Sequence, residues 1–226
     1  MPPRLLLFDL DDTLWPCKPT IARAERILYD WLCERLPGLR ERHDIDSLRE
    51  QRKRLMQAHP EWVHDLTRVR RESLLALCRE HRADPRIAEH GSALFCRERN
   101  QVTPYPEVIP VLRALRKEFT LASLTNGNAD VRQTPLGELF DHAIRSIEVG
   151  HAKPHPAMFL AACERAGAAP EETLMIGDDP ERDIEPARAL GMKTMLILRD
   201  RPLPDDSRAD LVAPDLRPLT TWLART

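Results

Sequence analysis

Three carboxylates crowd into four positions near the start of the chain: Asp9, Asp11 and Asp12, within the stretch LLLFDLDDTLW. Like charges this close push one another's pKa upward, so the cluster demands a cation or shared protons beside it. Lys153, in GHAKPHPAMF between Gly150 and Pro154, is a basic group placed to meet that demand. Two further polar stretches belong with these, Thr125-Asn126-Gly127 and Gly177-Asp178-Asp179 with Asp183. Carboxylates such as Asp9 and Asp178 are hard oxygen ligands suited to magnesium, which takes a few carboxylates, waters and phosphate oxygens. A carboxylate can also attack phosphorus, dividing one hard displacement into two. Asp11 is placed to protonate the departing alkoxide and then to take a proton from water. The hydroxyl of Thr125 and the amide of Asn126 would hold the phosphoryl oxygens.

Each motif must be presented by an element. Strand-like runs fall at 5–9, 120–124, 143–149, 173–177, 193–198 and 210–212, with helical patterns at 106–117, 156–166 and 181–190 between them. Strands alternating with helices predict an α/β fold with a parallel sheet covered by helices on both faces. The motifs follow strand ends, where open α/β sheets bind ligands. From Pro16 to Thr103 the pattern changes to amphipathic helices near 21–36, 46–57, 62–81 and 85–98, which predicts a helical insertion at 17–103 in a core of 1–16 and 104–226. Pro16 and Pro19 on one side and 103–106 on the other read as stiff, non-helical linkers.

Composition narrows the partners. The 226 residues carry 34 basic and 36 acidic side chains, a formal net charge of -2 that gives no overall field to recruit nucleic acid or an anionic membrane. A small, specifically held ligand is expected. The amino-terminal apolar run is too short for a signal peptide and no stretch approaches a membrane span, so a cytoplasmic protein is expected. Five scattered cysteines with no C-x-x-C pair read as reduced, mostly buried thiols. His151 and His155 have helical metal-ligand spacing, but Pro154 and Pro156 interrupt any helix there. No G-x-x-x-x-G-K-[ST] occurs, which disfavours a P-loop nucleotide hydrolase.

Asp9-Leu-Asp11-Asp-Thr13, Thr125 in LTNGN, Lys153 and GDDPERD resemble, in that order, the four motifs of the haloacid dehalogenase superfamily. The resemblance implies a Rossmann-like core with Asp9 as nucleophile and Asp11 as acid/base. It implies magnesium held by Asp9, the Asp11 backbone carbonyl and Asp178, with Asp179 and Asp183 as supporting carboxylates around metal and lysine. Asp12 stands where this superfamily often has glycine and reads as a turn residue. Thr13 and Gly127 join Asn126 on the substrate side. True dehalogenases of the superfamily lack the second aspartate and need no metal, so Asp11 points to phosphate; mutases share the motifs.

The helical insertion resembles the cap of one branch of the superfamily, where cap residues choose the substrate. On a helix the stretch HPEWVHDLTRVRRESLL and the two residues after it place His64, Thr67, Arg68 and Arg71 on one face and Trp62, Leu66, Val69 and Leu77 on the other. FDLDDTLW, HDLTRVR, LTNGN, AKPHPAMFLAA and GDDPERD together resemble a bacterial phosphatase group acting on flavin mononucleotide and on the phosphorylated ribitylamino-pyrimidine of riboflavin synthesis. That likeness implies a ribityl phosphate substrate met by His64, Asp65 and Arg68. Competing readings are a phosphatase or phosphomutase for another small phosphate ester such as a sugar phosphate, a phospho-accepting signalling module, and a silent binding protein that keeps the fold.

Overall fold

A computed structural model describes residues 2–199, 201–202 and 208–225. In chain order its elements are β1 (Leu5–Phe8), α1 (Cys17–Cys33), α2 (Leu39–Arg42), α3 (Ile45–Ala58), α4 (Leu66–Glu80), α5 (Arg86–Arg99), α6 (Val108–Leu115), β2 (Thr120–Thr125), β3 (His142–Arg145), α7 (Ser146–Val149), α8 (Pro156–Ala166), β4 (Thr173–Gly177), α9 (Glu185–Ala189), β5 (Lys193–Ile197), β6 (Leu211–Ala213) and α10 (Arg217–Leu223). They gather into two compact units, one of 1–17 with 102–226 and one of 18–101.

In the first unit six strands lie in the order β3-β2-β1-β4-β5-β6, every pairing parallel. β1 is apolar at every position and fully buried, as a central strand covered on both faces must be. Its side chains alternate between two cores. Leu6 and Phe8 share one with Val108 and Leu112 of α6 and Leu219 of α10, while Leu5 and Leu7 share the other with Met158, Phe159 and Ala162 of α8. From β1 the chain reaches β2 on one side and β4 on the other, so the strand order reverses at β1. The crevice beyond the carboxyl ends at such a reversal is the ligand site of open α/β sheets.

Several elements differ from the sequence expectation. The run 143–149 is not one strand, because β3 stops at Arg145 and Ser146 begins the single turn of α7, ended by Gly150 at φ 77°. The expected helix at 181–190 divides into a π-helical turn, Pro180–Ile184, and the short α9. Pro19 is not a linker residue but lies in the first turn of α1, where a missing N–H leaves no helix bond unmade. The helix expected from 62 begins only at Leu66, because Asp65 caps it by accepting from Arg68 N at 2.8 Å. Trp62 therefore lies on a separate 3₁₀ turn, not on one face of α4, and its ring stacks on His59 with 3.8 Å between centroids. None of the five cysteines is joined in a disulfide, but only Cys78 and Cys163 are buried, fewer than expected. No helix among the described residues is long and apolar enough to cross a membrane.

The second unit packs Leu28 and Leu32 of α1 against Leu74 and Leu77 of α4 and Phe95 of α5. A charged cluster sits within it: Glu25 of α1, 5% exposed, accepts from Arg49 Nε at 2.6 Å and from Arg52, with Arg70 Nη2 at 3.9 Å. Burial, reinforced by Arg52, holds the Arg70 guanidinium below its usual pKa range, and its plane covers the Phe95 ring. Removing one partner from such a cluster strands the others without compensation. Glu25→Ala is expected to destabilise the chain by about 3 kcal/mol, read as a lowered urea midpoint; an unchanged midpoint would mean the cluster contributes no net stability.

Candidate active site

The carboxyl ends of β1, β2 and β4 bring together the motifs that lie far apart in sequence. Asp9 follows β1 directly, its backbone N–H donating to Ile176 O of β4 at 2.8 Å, so sheet pairing itself fixes the position. Lys153 Nζ donates to Asp9 Oδ1 and to Asp183 Oδ1, both at 2.6 Å, and all three residues are buried. The carboxylate oxygens of Asp9, Asp178 and Asp183 lie within 4.8 Å of one another.

Local structure explains each placement. Asn126 brackets the backbone of Lys153, donating from Nδ2 to its carbonyl at 2.8 Å and accepting from its N–H at 2.6 Å. The π-helical turn after β4 returns Asp183 towards the strand end, where it also accepts from Asp179 N at 3.2 Å. Gly177 leaves room for it: a methyl there would stand 2.6 Å from Asp183 Cβ and overlap its carboxyl group. Asp12 adopts φ 57° and accepts from Cys17 N at 2.9 Å, turning the loop so that Asp11 and Thr13 face different partners.

The electrostatics leave the cluster short of positive charge. Three carboxylates meet Lys153 and Arg201, whose Nη2 donates to Asp178 Oδ2 at 2.8 Å and to its carbonyl at 2.7 Å. Burial pushes the Asp9 carboxyl well above its usual range; Lys153 opposes this, while Asp183 and Asp178 add to it. Burial raises Asp178 to about 6, with Asp183 adding and Arg201 opposing. Burial also disfavours the charge on Lys153, yet Asp183 and Asp9 outweigh it and raise its pKa. A divalent cation among the carboxylates would relieve that imbalance.

The remaining expected residues divide. Asp11 lies outside the group of three; it accepts from Trp15 Nε1 at 2.9 Å, and a methyl on Gly127 would come within 3.1 Å of its Oδ2. Thr125 Oγ1 accepts from Gly127 N at 2.9 Å. Thr13 is fully buried with its hydroxyl 3.4 Å from Asp178 Oδ1, and Asn126 is engaged on Lys153, so both brace the site. Asp179 does not join the cluster: its carboxylate caps the π-helical turn, accepting from Glu181 N and Arg182 N. In the second unit His64 is half-buried, Asp65 caps α4, and the exposed Arg68 lies 4.4 Å over the Trp62 ring. His151 and His155 stack at 3.8 Å, and His155 Nδ1 accepts from Ala157 N at the start of α8.

Three residues of the site carried no signal in the sequence. Trp15 anchors Asp11. Arg201 neutralises part of Asp178, and Arg199 ties Thr13 O to Glu107 with its guanidinium 3.7 Å over Tyr105. Both arginines follow β5, where nothing in the pattern separates them from ordinary surface charges. With Asp12, Asp178, Tyr105 and Leu198 they line an open cleft.

Residues 3–191 match the family model of the haloacid dehalogenase-like hydrolases. The chain belongs to that family. The 5-amino-6-(5-phospho-D-ribitylamino)uracil phosphatase YigB of Escherichia coli is 31% identical over 85% of this chain and 82% of its own length. The glyceraldehyde 3-phosphate phosphatase of Methanopyrus kandleri is 31% identical over 94% of this chain and 91% of its own. Among solved structures, one described as a 2-haloacid dehalogenase from Pseudomonas syringae pv. Tomato superposes with a TM-score of 0.91 at 36% identity, covering 99% of both chains.

For this hydrolase, Gly177→Ala is expected to displace Asp183 and unseat Lys153, lowering kcat at least about a hundredfold. Steady-state assay beside a circular-dichroism spectrum checks it: full activity in a folded variant would show that the tight approach of Asp183 is dispensable.

Proposed function

We propose that this hydrolase is a magnesium-dependent phosphomonoesterase of the cytoplasm, working through an aspartyl-phosphate on Asp9, with flavin mononucleotide or a related ribityl phosphate as substrate. The observation that carries the chemistry is the cluster of Asp9, Asp178 and Asp183 bridged by Lys153. Its all-oxygen, largely buried donor set, short of positive charge, fits magnesium. Asp9 and Asp178 would hold the ion with the Asp11 carbonyl, and Asp183 would support them. Bound there, magnesium would screen the negative charge of the attacking carboxylate and of the phosphoryl oxygens.

Lys153 fixes one carboxylate oxygen of Asp9 and leaves the other to attack phosphorus. As that bond forms, the bond from phosphorus to the ester oxygen breaks, and Asp11 gives its proton to the departing alkoxide. Asp11, held by Trp15, then takes a proton from water as the water oxygen attacks phosphorus. The bond from phosphorus to Asp9 breaks, inorganic phosphate leaves, and both side chains return to their starting forms. Backbone N–H groups and the Thr125 hydroxyl steady the phosphoryl oxygens.

The ribityl substrate draws on the name of the Escherichia coli relative together with HDLTRVR in the inserted unit. In this reading Arg68 and His64 select the ribityl or ring end; Asp65 contributes chiefly by capping α4. The description of the Pseudomonas structure raises dehalogenation as a second reading. Asp11 and the cation-seeking cluster weigh against it, since dehalogenases of the superfamily lack that aspartate and need no metal.

Phosphate release from flavin mononucleotide, sugar phosphates, nucleotides and p-nitrophenyl phosphate tests the proposal. We expect magnesium-dependent turnover with the highest kcat/KM on flavin mononucleotide, at least about a thousandfold lower in Asp9→Asn. Arg68→Ala should raise KM for flavin mononucleotide about tenfold more than for p-nitrophenyl phosphate. Even activity across the panel would discard the ribityl substrate, and turnover without magnesium would discard the metal.

A further inference from the structure

The second unit contains a cluster that the chemistry at Asp9 does not use. His43 follows α2, Glu80 is the last residue of α4, and His81 caps that helix. Their ligand atoms lie within 4.8 Å of one another. His43 Nε2 stands 3.1 and 3.0 Å from the two Glu80 oxygens, and the His43 and His81 ring centroids are 6.5 Å apart.

Two observations distinguish this cluster from an ordinary histidine–glutamate pair. His81 Nδ1 is 3.0 Å from Pro37 O, a carbonyl that can only accept, so this nitrogen carries a proton, and in the neutral ring Nε2 keeps its lone pair. That Nε2 is buried and has no hydrogen-bond partner. A buried acceptor without a partner is costly, and a metal ion is one group that would satisfy it. Metal-bound histidines commonly donate their second ring nitrogen to a carbonyl in this way, which fixes the tautomer and orients the ring.

We propose that His43, Glu80 and His81 form a second metal site, for Zn²⁺ or a similar borderline ion, distinct from the carboxylate cluster around Asp9. Two imidazoles and one carboxylate are a zinc donor set, with water completing a tetrahedron, whereas magnesium prefers oxygen alone. Zinc–ligand bonds of about 2.0–2.2 Å set ligand atoms roughly 3.4 Å apart in a tetrahedron. His43 and Glu80 already approach that spacing, and the ligand atom of His81 lies within 4.8 Å of theirs. The backbone is prepared on both sides: Tyr29 Oη donates to His43 O at 2.7 Å, and His81 N donates to Leu77 O at 3.0 Å. Arg42, 3.6 Å from Glu80, is the cation the metal would displace. Bound zinc would tie the end of α4 to the segment after α2. This inference does not depend on the phosphatase reading.

The test is zinc binding by equilibrium dialysis and thermal unfolding of the full-length, tag-free protein in saturating magnesium, with circular dichroism confirming that each variant is folded. We expect one zinc per chain and a Tm raised by about 5 °C when zinc is a hundredfold above its Kd. Affinity should fall at least about tenfold in His81→Ala, and likewise in Glu80→Gln, which keeps the shape of the side chain. Cobalt in place of zinc should give the visible absorption of a tetrahedral site in the parent protein and lose it in both variants. No zinc binding, or binding that both folded variants retain, would overturn the proposal.

Discussion

Lys153 sits between two carboxylates, 2.6 Å from Asp9 and 2.6 Å from Asp183, in a place almost closed to water. A buried ammonium alone would neutralise itself by shifting its pKa; here the two carboxylates hold Lys153 charged, while Lys153 opposes part of the rise that burial imposes on Asp9. The balance is incomplete, because Asp178 brings a third carboxylate and Arg201 offsets only part of it. A cation among the carboxylates would relieve that shortfall.

Much of the local architecture serves this arrangement. Parallel pairing of β1 with β2 and β4 brings residue 9, the residues after 125 and the residues after 177 to one edge of the sheet. Asn126 then sets the backbone of Lys153, Gly177 admits Asp183, and the π-helical turn carries Asp183 back to the strand end. Asp12 in the left-handed region and Trp15 as a donor turn Asp11 away from the buried cluster, so that two aspartates two residues apart have different surroundings. In the proposed mechanism, different surroundings would let one act as the nucleophile while the other exchanges protons.

The fold was legible because its signals are strong and local. An all-apolar β1, strands alternating with helices, and polar motifs at strand ends leave few alternatives to a parallel sheet with its site at the carboxyl edge. The pairing of Lys153 with Asp9 could be anticipated from charge alone, since an acidic cluster requires a cation. Roles that depend on side-chain direction could not. Asp178 and Asp179 are adjacent in sequence, yet one faces the cluster and the other caps a turn. Asn126 has the chemistry to bind phosphate, and its amide is also engaged on the backbone of Lys153, which its spacing does not announce. Arg201 and Trp15 act through geometry that no spacing rule encodes. In the second unit, helical periodicity found the apolar faces, while the capping by Asp65 moved Trp62 off the helix to which its spacing assigned it.

The central claim is that Asp9 itself takes the phosphoryl group. Hydrolysis of a phosphorothioate monoester made chiral at phosphorus with oxygen isotopes, in isotopically labelled water, tests it most directly. Two in-line displacements, the first by Asp9 and the second by water, each invert phosphorus, so the account predicts net retention of configuration. Net inversion would mean that water attacks the substrate in a single step and that Asp9 is not the nucleophile.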